Sequence, residues 1–193
     1  MAGHARYTAL LDACVLFPVW TCDALMSVAA TGVFAPKWSA AIDDEWTRSL
    51  ELARGRPPGT FARRRDLMHE ACPDWEVAEP AWRALEANLE LPDPGDRHVL
   101  AAAIAGHADC IVTSNLRDFP ASVLAGFGID AVHPDAFLVA QLDLDQLTVL
   151  PAFKAMRARM QNPAMTPEAF AASFERGGLP RTADYLRQAA GLI

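Results

Sequence analysis

Cysteine is scarce in this chain. Only Cys14, Cys22, Cys72 and Cys110 occur in 193 residues, and no two of them form a C-x-x-C pair. That spacing argues against a disulfide frame and a paired-cysteine zinc site, and fits small buried residues of a protein in a reducing cytoplasmic setting. Long hydrophobic runs are also missing, as is the apolar core of a signal peptide, so no membrane partner is expected. Positive charge is in the minority, with 17 Lys and Arg against 24 Asp and Glu and a net charge of −7. That balance argues against a nucleic-acid coat protein, but not against a nuclease, whose own carboxylates add acidity. No G-x-x-x-x-G-K-[ST] loop or Ser/His/Asp constellation is found, and His69-Glu70-Ala71-Cys72-Pro73 fails the H-E-x-x-H zinc pattern.

What is present is an ordinary globular composition, 52% hydrophobic and 21% charged, long enough for one good core and a small appended unit. Strand and helix signals alternate. Short strands are expected at Tyr7 to Leu11, Val33 to Lys37, weakly at Trp75 to Ala78, at Cys110 to Thr113 and at Ile129 to Val132. Helices are expected between them: Val19 to Thr31, Ser39 to about Arg54, Phe61 to Ala71, Pro80 to Leu89, and one capped by Asp93-Pro94. Strands separated by helices imply a parallel sheet covered on both faces. From about Ala136 the pattern becomes helical, over 145–161, 167–177 and 181–190, with a break at Asn162-Pro163. The expected division is a domain over 1–140 and a helical C-terminal extension over 141–193.

The acids fall at informative places. Asp12 follows the first strand with apolar residues on both sides, where a carboxylate is costly unless it is paired, bound to a metal or used as a helix cap. In the helix after Ser39, Asp44 lies opposite the buried stripe of Ile42, Trp46, Leu50 and Ala53, while Asp43 and Glu45 flank that stripe; periodicity does not choose between these two. Asp96 sits in a helical first turn, and Asn115 and Asp118 leave the strand ending at Thr113. In an open parallel sheet, ligands gather beyond the carboxyl ends of strands. Several carboxylates converging there form the hard, all-oxygen environment that suits Mg²⁺. Arg63-Arg64-Arg65, with Arg54 and Arg56, is the densest basic cluster; it reads first as a solvated helix face and second as a contact for RNA phosphates. Lys154, Arg157, Arg159 and Arg181 make a second basic surface.

YTALLDACVLFP, WSAAIDDEWTRSL, LPDPGDRHVLAAAIAGHADCIVTSNLRDFP and HPDAFL, in this order over residues 6 to 140, together resemble the PIN-domain nucleases. The match is closest to VapC-like toxins of toxin–antitoxin pairs, and the helical tail is similar to an extension found in one branch of them. The resemblance implies a three-layer α/β/α sandwich around a parallel sheet ordered 3-2-1-4-5. It implies Asp12, Glu45, Asp96 and Asp118 as catalytic acids, with Glu45 chosen over Asp43. Metal ligands are then Asp12, Asp96 and Asp118 with Glu45 and Asn115, the last position staying open between Asn115 and Asp118. Cys14 replaces an Asn common two positions after the first acid, which implies that a hydrogen bond beside Asp12 is absent.

The implied chemistry is Mg²⁺- or Mn²⁺-dependent endoribonuclease action on RNA, with Glu45 as ligand or as the group orienting the attacking water. His98 reads as a packing or surface residue rather than a base. The implied partners are RNA, a small antitoxin protein and a second copy of the chain in a homodimer. The alternative is a catalytically inactive PIN-like module that binds RNA or protein. A haloacid-type phosphatase ranks third, because its chemistry wants an acid where Cys14 stands.

Overall fold

A computed structural model describes residues 6–161 and 163–193, so the break expected at Asn162-Pro163 lies partly outside the described residues. The described residues pack as two compact units, one of residues 6–17 and 34–133, the other of residues 18–33, 134–161 and 163–193.

In the first unit, Thr8–Leu11 (β1), Ala35–Lys37 (β2), Cys110–Val112 (β3) and Asp130–Val132 (β4) form one sheet, ordered β2-β1-β3-β4. Every pairing is parallel: Leu10 faces Lys37 on one side and Ile111 on the other, and Val112 faces Val132. Ala9, Leu10 and Leu11 of β1 and all of β3 expose no surface. Continuous apolar strands of this kind are what a parallel sheet covered on both faces requires. The chain leaves β1 toward β2 on one side and later returns to β3 on the other. The crevice between the carboxyl ends of β1 and β3 is therefore the switch point of the sheet.

The segment expected as a strand near Trp75 to Ala78 forms only an isolated parallel bridge, Trp38 to Glu76. The Trp38 N–H donates to the Trp75 carbonyl at 2.9 Å and the Val77 N–H to the Trp38 carbonyl at 2.8 Å. The ladder stops there because the next residue, Ser39, already caps Ala40–Arg54 (α3), its hydroxyl accepting from the Ile42 N–H at 3.3 Å. With that bridge as an edge, the order matches the expected 3-2-1-4-5. Gly55 ends α3 at φ 58°, a left-handed position where a side chain is strained. The helices of this unit are Ala13–Leu16 (α1), α3, Ala62–Ala71 (α4), Glu79–Glu86 (α5), Arg97–Ala105 (α6) and Ala121–Leu124 (α7).

The second unit joins Val19–Ala29 (α2) to Pro134–Leu144 (α8), Gln146–Ala158 (α9), Pro167–Arg176 (α10) and Pro180–Gln188 (α11). Helix α8 was not among the expected helices; its Phe137, Leu138 and Leu142 are all but fully buried. Asp135, buried at its start, accepts from the Arg181 and Thr182 N–H groups at 2.9 and 2.8 Å and from the Thr182 hydroxyl at 2.7 Å. It thus supplies the cap that α11 lacks locally. Trp20 of α2 meets Phe170 and Phe174 of α10 edge-on, with centroids 6.1 and 6.0 Å apart. Arg159, following α9, reaches Asp23 and Ser27 of α2 at 2.7 and 3.0 Å. Removing residues 145–193 should therefore strip α2 of its apolar partners and leave an insoluble or molten chain. Near-UV circular dichroism and gel filtration of the truncated chain check this, and a soluble monomer with native tertiary signal would contradict it.

Candidate active site

Asp12 ends β1 and stands at the N-cap position of α1, yet its side chain makes no capping bond. Its carboxylate is 5% exposed. Oδ2 accepts from the Thr113 hydroxyl at 2.7 Å and from the Cys14 thiol at 2.9 Å. Burial pushes the Asp12 pKa above the usual carboxylate range, the nearby Glu45 adds to the rise, and the Cys14 and Thr113 bonds and the Ala13 backbone work against it. The hydrogen bond expected to be lost with Cys14 is therefore made by the thiol. Cys14 Sγ in turn accepts from the Ser114 N–H at 3.2 Å. Burial and the neighbouring Asp12 push that thiol up to about 12, so it stays protonated and able to donate.

Asp96 lies at the junction of a short 3₁₀ turn, Pro94–Asp96, and α6, again without a capping bond of its own. Asp93 does cap the turn, its Oδ1 accepting from the Gly95 N–H at 2.7 Å. The turn has a consequence that a simple α-helical N-terminus would lack. Three residues per turn bring positions i and i+3 into line, so Asp93 and Asp96 point the same way. Gly95 leaves room for this: a Cβ there would come within 3.1 Å of Asp93 Oδ1.

Asp118 closes the turn that leaves β3. Its backbone N–H bonds the Asn115 carbonyl at 3.3 Å, and its Oδ2 accepts from the Asn115 side-chain amide. It is not the cap of α7, a position occupied by Pro120. One carboxylate oxygen from each of Asp93, Asp96 and Asp118 lies within 4.8 Å of the others. Burial raises the Asp96 carboxyl to about 6, with further contributions from Asp12, Asp93, Asp118 and Glu45. Asp12, Glu45, Asp96 and Asp118 thus share one electrostatic neighbourhood, with Asn115 against Asp118. Asp96 Oδ2 is buried without a hydrogen-bond partner among the described residues. A set of hard carboxylate oxygens held at mutual repulsion, one of them orphaned, fits a divalent cation.

The structure separates the acids of α3. Asp43 is buried, accepting from Trp46 Nε1 at 2.8 Å and pairing with His69 Nε2 of α4 at 2.7 Å. His69 stacks on Trp75 with centroids 4.0 Å apart. Asp43 is a packing residue that ties α4 to α3. Its replacement by alanine should lower unfolding stability by about 2 kcal/mol, since a buried indole N–H loses its acceptor. Urea titration checks this, and metal affinity should not change. Asp44 is exposed. Glu45, half-buried, lies with Oε2 at 3.3 Å from His98 Nε2 of α6.

The basic cluster is largely spoken for. Arg64 donates to the Leu16 and Phe17 carbonyls at 2.5 and 3.3 Å and covers the Trp46 ring at 4.8 Å, satisfying the C-terminus of α1. Arg63 pairs with Glu70 at 3.3 Å and Arg65 lies 4.0 Å from Asp66. Two residues escaped the sequence reading. Thr113, fully buried, holds Asp12 across the crevice and accepts from the Asn115 N–H at 3.0 Å. Its signal was a hydroxyl at the last position of an otherwise apolar strand. Asp93 was read as a cap only, though the D-x-x-D spacing was visible.

A parallel sheet with an acid cluster at the β1/β3 switch point is an α/β scaffold with a candidate cation site, and the chain belongs to the PIN-domain family, whose model matches residues 8–117. A second family model, the VapC50 C-terminal domain, matches residues 134–188. The chain is similar to "Putative ribonuclease VapC50" of Mycobacterium tuberculosis, with 44% identity over 72 residues. The matched segment covers 37% of this chain and 43% of that relative. No solved structure matches the chain. No helix among the described residues is long and apolar enough to cross a membrane.

Proposed function

We propose that the chain is a divalent-metal-dependent endoribonuclease, the toxin of a toxin–antitoxin pair acting in the cytoplasm. The observation that carries this reading is Asp96, held near pKa 6 with a buried, unpartnered oxygen among acids from a strand end, a helix start and a turn. Family membership supports the hydrolytic class, and the named relative supports RNA as substrate.

Asp12, Asp96 and Asp118 would hold Mg²⁺ or Mn²⁺, with Glu45, Asp93 and Asn115 around them. The bound cation would stabilise charge on the attacked phosphate and make a bound water more acidic. The chain's own residues do the rest. Thr113 and Cys14 hold one oxygen of Asp12, and Asn115 holds one of Asp118, so the acids face the cluster with little freedom. Glu45 is half-buried and reaches in from α3, where it would accept a proton from an attacking water or orient it. The antitoxin would be a small protein that offers a cationic side chain to this acidic crevice. A homodimer belongs to the same reading.

The test is cleavage of a single-stranded RNA by the purified chain, with and without EDTA, restored by Mg²⁺ or Mn²⁺. Cleavage unaffected by EDTA would reject metal dependence. Metal binding and RNA binding without cleavage would favour the non-cutting module.

A further inference from the structure

We infer that His98 is a positioning residue for Glu45, its Nε2 contacting the Glu45 carboxylate at 3.3 Å and restraining it beside the acids of the crevice; the inference rests on the function proposed above. Three observations carry it. His98 follows Asp96 by two residues in α6, so a contact from its ring to α3 links the two helices that supply acids. Its Nε2 lies 3.3 Å from Glu45 Oε2. Its Nδ1 is buried and has no partner among the described residues.

The third observation fixes which nitrogen bears hydrogen. A proton on Nδ1 would be a buried donor without an acceptor, which costs the full desolvation of that group. A bare lone pair at the same place costs less. In the neutral ring the proton therefore sits on Nε2, the nitrogen on the Glu45 side. The ring is held in this orientation by packing: it lies against Trp82 of α5, with centroids 6.2 Å apart, and its side chain is 15% exposed. A base that took a proton from water would need a free nitrogen open to the crevice. Here one nitrogen faces a carboxylate and the other is sealed, so His98 acts through Glu45.

Glu45 needs such help more than the other acids do. Asp12 is held by Thr113 and Cys14 and Asp118 by Asn115, whereas Glu45 has a longer side chain that is 46% exposed. Contact of one of its oxygens with His98 leaves the other to face water or metal, and narrows rotamer freedom that would have to be lost in the reaction.

The experiment uses the full chain. ¹⁵N resonances of the His98 ring, recorded where the ring carries one proton, should show that proton on Nε2, and they should move in the Glu45→Ala variant. In cleavage assays, His98→Leu, which keeps bulk without a donor, should lower kcat by about 10–100-fold with little change in KM for RNA. His98→Gln, which offers an amide N–H, should recover most of the loss. A proton on Nδ1, ring resonances indifferent to Glu45→Ala, or equal impairment of the Leu and Gln variants would overturn the inference. If the wild-type chain does not cleave RNA, the proposed function fails, and the ring resonances still decide the His98–Glu45 link. The same resonances decide it if His98→Leu does not fold.

Discussion

Asp12→Ala is expected to lower metal-dependent RNA cleavage by about 10³-fold or more, since the proposed function makes Asp12 a ligand of the cation that stabilises charge on the attacked phosphate. Asp12→Asn should be nearly as inactive. The amide keeps an oxygen for the Thr113 hydroxyl and the Cys14 thiol, so shape and hydrogen bonding survive while the charge is removed. Similar loss in both variants would assign the effect to charge. Asp12→Asn should not unfold the chain: burial already disfavours the charged form of Asp12, so a neutral amide relieves a cost in the metal-free protein, whereas Asp12→Ala also leaves the buried Thr113 hydroxyl without this acceptor. Single-turnover cleavage with saturating Mg²⁺, beside thermal melts without metal, separates the two effects. Wild-type rates in Asp12→Asn would remove Asp12 from the reaction.

Asp96→Asn should have opposite effects on the metal-free and metal-bound protein. The Asp96 carboxyl is raised from 3.8 to about 6, first by burial and then by Asp12, Asp93, Asp118 and Glu45. Between these two values the folded chain keeps a proton that the unfolded chain has released. The metal-free fold therefore loses stability as pH rises through this interval, and the cost is complete above about pH 6. For a half-exposed group the screened magnitude is about 1–2 kcal/mol. Asp96→Asn should gain that amount at pH 7.5, gain nothing near pH 4, and so flatten the pH dependence relative to wild type. With Mg²⁺ the order reverses. The wild type should be stabilised by about 2.7 kcal/mol at a hundred times its dissociation constant, and the variant much less. Differential scanning calorimetry at two pH values, with and without Mg²⁺, reads all four conditions. A variant that melts below wild type without metal at pH 7.5 would show that Asp96 is not held at a cost.

Much of this molecule is legible along the chain. The apolar runs Ala9-Leu10-Leu11 of β1 and Cys110-Ile111-Val112 of β3, the hydroxyl of Ser39 before α3, Gly55 after it and Thr166-Pro167 at the start of α10 are local signals, and each element forms where they stand. The α/β class follows from their alternation, and the positions of Asp12, Asp96, Asn115 and Asp118 at strand ends and a helix start follow from the same reading. These are decided by residues within a turn or two of each other, which is why sequence alone determines them.

Tertiary structure decided what depends on distant partners. Asp43 and Glu45 flank the same helical stripe, and only the arrival of His69 from α4 and His98 from α6 gives one to packing and brings the other to the crevice. The segment near Trp75 falls short of a strand because its partner turns into α3 at Ser39. A linear division at residue 140 does not show that α2, between β1 and β2 in sequence, packs with the C-terminal helices. The arginine triplet looks like a solvated basic patch until Arg64 meets the carbonyls ending α1. Cys14 donates to Asp12 because the fold sets its thiol 2.9 Å from the carboxylate, a placement that residue type alone does not reveal. Local propensity and spacing set the elements and the ends at which acids stand; burial and charge supplied by residues far away in the chain set which of those acids share a site.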